Sequence, residues 1–254
     1  MEQSIKVRLV GGLTLVAIVI GVSIVTSATV ASRAYERRGM QAMDQNKQLV
    51  VRGSARQRIT SDLAVWTVRV RGAGASIPEA FAVLDASSNR VRQFLSSKAF
   101  ADAEVEISAI DTATIYKRND NGSETRQIDS YSMERTFTIT TPNVQRVAAA
   151  STEVTELLKD GVEVSTQRPA FYYTKLADLR VSILGDASQD AKQRADEMAS
   201  RTGASITGLR SVQTGPVQVT LPNSTDVSGY GTYDTSTIEK DASVTVTATF
   251  GLSG

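Results

Sequence analysis

The sequence predicts an α+β fold: an N-terminal transmembrane helix, then antiparallel sheet with three helices packed on one side. Residues 9–32 carry no charge. Behind them, stretches of apolar–polar alternation recur, the mark of half-buried strands. Between the strands lie three segments whose apolar residues return every three or four positions, as amphipathic helices require. Each helix needs a sheet on which to bury its stripe, so helices and sheet form separate layers.

The chain divides into an N-terminal tail (1–8), a transmembrane anchor (9–32), a polar stalk (33–47) and a soluble domain (48–254). The anchor reads LVGGLTLVAIVIGVSIVTSATVAS, 24 residues. As a helix it would span roughly 36 Å, enough for a hydrocarbon core of about 30 Å with some tilt. A cleaved signal peptide is the competing reading, with Thr29-Val30-Ala31 as the cleavage site. Signal peptides carry an apolar region of only about 7–15 residues, which favours the anchor. Lys6 and Arg8 precede the run, and Arg33, Arg37 and Arg38 follow it. That balance slightly favours a cytoplasmic C-terminal side, but large domains translocate largely regardless of charge. Ser23, Ser27 and Ala31 recur every four residues and are candidate helix–helix contacts in the membrane. The plainer reading is the ordinary composition of a membrane helix.

The domain opens with a short β-like run, Gln48 to Arg56. In Leu63 to Arg71, Ala64, Trp66, Val68 and Val70 share one strand face. Ser76 is placed to cap the first helix, with Pro78 in its first turn and Glu79 completing a capping box. Leu84, Ser88, Val91 and Leu95 form its stripe, with Phe81 and Phe94 beside it. Strand pattern resumes at Glu104, with Val105, Ile107 and Ala109 on one face. Lys117 to Arg126 is a polar turn with an Asn121-Gly122 hairpin signal. Tyr131, Met133, Phe137 and Ile139 face one way on the returning strand. Thr141 is the expected cap of the second helix, opened by Pro142, with Val144, Val147, Ala148, Ser151, Val154 and Leu158 as its stripe and Gly161 as its end.

Val162 to Tyr173 reads as another strand, and the third helix runs from about Lys175 to Thr202. Ala187, Ala191, Ala195 and Ala199 let that helix lie close to a sheet, while Asp190 with Arg194 and Lys192 with Asp196 are solvent-side pairs. Gly203 ends it, and a strand follows over about Ser205 to Leu221. Pro222 to Lys240 is a long loop or irregular arm. The last strand, Ser243 to Leu252, faces Val244, Val246, Ala248, Phe250 and Leu252 inward.

A formal charge of +1 argues against nucleic acid as a partner. The chain has no cysteine and no histidine. That removes disulfides, thiol nucleophiles, His-based triads and the commonest zinc ligands. Gly72-Ala73-Gly74 precedes a helix, but Ile77 stands where a phosphate-binding fingerprint needs its third glycine, so a strand-to-helix turn is the plain reading. Asp111, Asp120 and Asp129 do not follow calcium-loop spacing and read as solvated loop acids. Phe171, Tyr172 and Tyr173 read as core or domain-edge packing. Tyr230 and Tyr233, in the polar arm, are candidate assembly contacts, since tyrosine joins apolar area to a hydrogen-bonding tip.

Taken in order, several segments resemble the SIMPL domain family (DUF541). These are Val51-Arg52-Gly53, Ser61-Asp62-Leu63-Ala64, the helix with Glu79-Ala80, Ile110-Asp111-Thr112, the Tyr131 strand, the helix Ala187 to Gly203, and the closing Val244 to Phe250. The match runs from about Leu49 to Leu252. Ser61 departs from it, because the family usually has proline there. The family includes a periplasmic immunogen and an oxidative-stress-related periplasmic protein. The resemblance implies an exported envelope protein and, as in some members, assembly into large ring-like or channel-like oligomers. It implies no catalytic or binding residues.

The expectation is therefore a bacterial inner-membrane protein, single pass, with its C-terminal domain in the periplasm. It has no enzymatic activity, cofactor or metal, and it is a homo-oligomer. The alternative is a monomeric periplasmic binding module for an envelope protein or peptidoglycan.

Overall fold

The computed structural model describes residues 47–226 and 228–253. The expected anchor, nearly all of the stalk, and Ser23, Ser27 and Ala31 lie outside the described residues. Among the described residues, no helix is long and apolar enough to cross a membrane.

The elements in order are β1 (Gln48–Thr60), β2 (Leu63–Gly74), α1 (Ile77–Ser97), β3 (Val105–Ile107), β4 (Asp111–Arg118), β5 (Glu124–Thr141), α2 (Val144–Glu153), β6 (Glu163–Thr166), β7 (Ala170–Tyr172), α3 (Leu176–Arg201), β8 (Ser205–Thr214), β9 (Gln218–Thr220) and β10 (Glu239–Ser253). Short 3-10 helices cover Asp102–Glu104 and Val154–Asp160. The α+β class and the three helices agree with the sequence reading. The strands form two sheets, one ordered β3-β5-β2-β6, with β4 also on β5 and β7 also on β2, and one ordered β1-β10-β8, with β9 also on β10. The described chain divides into two compact units, a larger one of 54–187 and 214–245 and a smaller one of 47–53, 188–213 and 246–253.

In the larger unit every pairing of the six-stranded sheet is antiparallel. β2 is its centre, and Ala64, Trp66, Val68 and Val70 are all buried, as their alternation predicts. The Trp66 indole N–H donates to the Thr166 hydroxyl at 2.7 Å, so burial leaves its polar edge satisfied. α1 starts as predicted: Ser76 accepts from the Glu79 N–H at 3.4 Å, and the Glu79 carboxylate accepts from the Ala75 N–H at 3.0 Å. Leu84, Ser88, Val91 and Leu95 are buried, but Phe81 is half exposed. The helix lies directly on the backbone of β2. A methyl group at Gly72 would sit 2.4 Å from the Leu84 nitrogen, and one at Gly74 2.5 Å from the Ala80 nitrogen. The glycines therefore serve helix–strand approach, as the strand-to-helix reading requires.

The cap of α2 is Asn143, not Thr141: its side chain accepts the Arg146 N–H at 3.1 Å. Thr141 sits two residues earlier, buried, and accepts from the Asn143 N–H at 3.2 Å. After Glu153 the helix tightens to 3-10 geometry, with about three residues per turn. Three residues on from buried Val154 is Leu157, which packs on the core, while Leu158 turns outward. Gly161 ends the segment at φ +78°, the left-handed conformation glycine favours. The strand expected over Val162 to Tyr173 is two strands. β6 pairs Val164 with Val70 and β7 pairs Phe171 with Ala64, a slip of one residue. Pro169 lies in the break, where it has no N–H to give the ladder. Gly215-Pro216-Val217 likewise divides the strand expected over Ser205 to Leu221 into β8 and β9. At the hairpin, β4 and β5 extend into the polar segment and leave a short turn, with Gly122 at φ +82°.

In the smaller unit, Ala191 and Ala195 pack on Val51, Ala248 and Phe250. Removing side-chain bulk at every fourth position is what lets the helix approach the strands. The outer face carries the expected pairs: Lys192 to Asp196 at 2.8 Å and Arg194 to Asp190 at 3.0 Å.

Two glycine-to-alanine changes should have opposite signs. Gly72→Ala forces α1 off β2 and should cost about 1–3 kcal/mol. Gly185→Ala lies within α3 with nothing within 4 Å of the new methyl, and should add about 0.5–1 kcal/mol. Chemical denaturation of both variants beside the wild type reads the difference.

Candidate functional site

The polar arm, residues 221–238, is fastened to the larger unit along its length. β9 starts the attachment. The Val219 N–H donates to the Thr232 carbonyl at 2.7 Å, and the Asp234 N–H donates to the Val219 carbonyl at 2.8 Å. This parallel bridge covers the outer edge of β9 with the arm. Further on, the Phe171 N–H donates to Thr235 O at 2.8 Å and the Ser61 N–H to Ile238 O at 2.9 Å. A proline at position 61 would have no N–H for that bond.

Two buried charges hold the arm's ends. Lys240 has a fully buried side chain, and its ammonium donates to the Asp234 carboxylate at 3.2 Å and to the Thr237 carbonyl. Burial pushes the Lys240 pKa down, against the opposing pull of Asp234. Asp234 also accepts from the Ser236 hydroxyl at 2.7 Å, the Thr237 hydroxyl at 2.9 Å and both backbone N–H groups. Burial alone would raise the Asp234 pKa, but these donors together outweigh it and hold it at about 2. Asp241 accepts from the Asn223 N–H at 2.8 Å and from Arg58 at 2.6 Å, and both keep its pKa below the ordinary carboxylate value. Elsewhere in the unit, Glu104 is lowered by the Thr141 hydroxyl first, then by the Ala101 N–H and Arg146. The sequence reading places Lys240 at the end of a long loop or irregular arm and finds neither cluster. The signal was faint: Lys240-Asp241 directly precedes the inward-facing strand and falls within β10 itself.

The arm also carries the aromatic residues. The rings of Tyr233 and Tyr172 stack 6.4 Å apart. The Tyr233 hydroxyl accepts from the Tyr173 N–H at 2.9 Å and donates to the Tyr173 carbonyl at 3.2 Å. Tyr230, three residues before Tyr233, is fully exposed. Between the arm and α3 lies a hollow of about 210 Å³, lined by Leu176, Arg180, Val217, Val219, Thr232 and the two tyrosines. Phe171 is buried in the main core, as expected, whereas Tyr172 is exposed. Asp111, Asp120 and Asp129 are exposed on separate parts of the β4–β5 hairpin. Among the described residues no three acidic side chains are grouped to hold a metal ion.

Stability of the larger unit should fall in acid. A carboxylate with a depressed folded pKa adds stability above its unfolded pKa and loses it as pH falls through the folded value. For Asp234 that window runs from 3.8 down to about 2. Full loss of the shift is worth roughly 2 kcal/mol. Melting temperatures across pH 2–6 should drop on the acid side, and Asp234→Asn should flatten that drop while lowering the plateau.

None of the curated proteins compared with the chain matches it. Among solved structures, a hydantoinase/carbamoylase family amidase from Burkholderia ambifaria aligns at 13% identity and TM-score 0.26, over 43% of this chain and 28% of that one. The corresponding amidase from Burkholderia phymatum aligns at 16% and 0.27, over 48% of this chain and 32% of that one. The de novo designed protein Foldit4 aligns at 13% and 0.22, over 41% of this chain and 93% of that one. The chain thus spans about a third or less of the length of the amidases, and likenesses this slight carry no argument. The family model described as SIMPL, protein of unknown function (DUF541), matches residues 49–250, which include both sheets, all three helices and the arm, and the chain belongs to that family.

Proposed function

We propose that the protein is a membrane-anchored envelope protein of the bacterial inner membrane, with its SIMPL domain in the periplasm, and that its copies assemble into a large ring-like or channel-like oligomer. Its role is contact rather than catalysis. The observation that supports assembly is the edge of β8, on which no second strand pairs among the described residues. β8 ends its sheet, and nine of its ten residues are exposed, Leu209 and Val212 among them. Beneath it lies an apolar hollow of about 420 Å³ lined by Ile206, Leu209, Val212, Val246, Ala248 and Phe250. A long strand edge with unpaired backbone groups and apolar side chains is a template for another strand. The arm covers the edge of β9. Chain without charge at 9–32 supports the anchor, and family membership supports the envelope location.

A different observation favours a second reading, a monomeric periplasmic module that binds an envelope protein or peptidoglycan. Beside α1, a trough of about 720 Å³ has an apolar floor of Leu95, Phe100, Val105 and Ile107, with Arg92 and Asp102 on its rim. Apolar concavities with a few polar groups are the usual form of binding sites.

Light scattering of the detergent-solubilised full chain decides between them. Assembly predicts a mass of many copies, reduced by Leu209→Lys with Val212→Lys, which charge the β8 edge. A strictly monomeric full-length protein would defeat assembly, and crosslinks in membranes to other envelope components alone would favour the module.

A further inference from the structure

We infer that the tip of the arm is a self-complementary docking point, at which Tyr230 of one copy enters the hollow beside Tyr230 of a second copy. This contact rests on the self-association proposed above but uses a surface of the larger unit, not β8. The argument starts from the exposure of Tyr230. No part of its ring is covered, although tyrosine is a large amphipathic side chain that gains by burial.

That exposure is built into a stiff turn. The Gln218 amide grips the backbone of Ser228 from both sides, donating to its carbonyl at 2.7 Å and accepting from its N–H at 3.4 Å. The Ser228 hydroxyl accepts from the Tyr230 N–H at 3.3 Å, and the Gly231 N–H closes the turn on Ser228 O at 3.2 Å. Gly231 sits at φ +90°, a conformation other residues resist. The next residue, Thr232, is bonded to β9. The ring is therefore presented in advance, with little ordering cost left for a binding event.

The hollow adjoins it. Knob and hole on the same surface are what a two-fold contact needs, because each copy then supplies both halves of the exchange. Charge fits the same geometry. Residues 222–238 contain Asp226 and Asp234 and no lysine or arginine. Asp234 is committed to Lys240, which leaves Asp226, whose carboxylate accepts from the Ser224 hydroxyl and has no cationic partner among the described residues. On the wall of the hollow, Arg180 is exposed and has no carboxylate partner among the described residues. In a two-fold contact, the acid of each arm meets the arginine of the other copy. Tyrosine and arginine are also the side chains that most often dominate interface energies.

The test uses the full chain in detergent and in membranes. A photoreactive phenylalanine placed at position 230 should crosslink to a second copy at peptides spanning 176–180 or 217–233. Tyr230→Ala and Arg180→Glu should each weaken self-association at least about tenfold at unchanged melting temperature. Arg180→Glu combined with Asp226→Arg should restore it, which a merely structural role would not do. An oligomeric wild type that is indifferent to Tyr230→Ala overturns this contact and leaves assembly through β8 standing. Crosslinks from position 230 only to a foreign protein or to glycan overturn it too. A wild type that is monomeric at every concentration overturns both.

Discussion

Where α1 crosses β2 there is no space for a methyl group, and the larger unit is arranged around that contact. With Gly72 and Gly74 bare, helix backbone rests on strand backbone. The side chains of Leu84, Val91 and Leu95 then reach the same buried cluster as Val68, Val70 and Phe137. β2 becomes the strand that everything else must reach: β5 takes one side of it, β6 and β7 the other. The same closeness has a cost at the margin. A helix centred on β2 and β5 leaves β3, at the edge, only partly roofed, and the trough with Val105 and Ile107 on its floor is the result.

Much of this was legible in residue patterns. Alternation gave the buried faces of β2, β5 and β10, because a two-residue period leaves one answer wherever one face is wet. The alanine stripe of α3 and the cap of α1 were read correctly for the same kind of local reason. What was missed depended on geometry that no period encodes. Leu157 replaced Leu158 because the chain changed helix type after Glu153. Asn143 replaced Thr141 as a cap because Thr141 was drawn to Glu104, 37 residues away. The buried Lys240 looked like a loop lysine because its partner carboxylate is itself in the arm. Among the candidate contacts, Tyr233 proved to be tied to the Tyr173 backbone, while Tyr230 stands free.

The arm also protects the sheet it lies on. An exposed strand edge invites unintended pairing, and proteins usually blunt it with a loop, a charge or a bulge. Here the arm does so for β9, held by the Lys240–Asp234 ion pair at one end and by the bond from the Asn223 N–H to Asp241 at the other.

The placement of the aromatic residues makes the two units optically unequal. The chain has one tryptophan, and Trp66 is buried in the larger unit. Every tyrosine among the described residues lies there too, at 116, 131, 172, 173, 230 and 233. Among the described residues the smaller unit offers only Phe250 as a chromophore. Tryptophan emission therefore watches the larger unit melt and is blind to the smaller one, whose loss of helix and strand registers in far-ultraviolet dichroism. Any gap between those two signals on heating would measure how independently the two parts of the domain hold together.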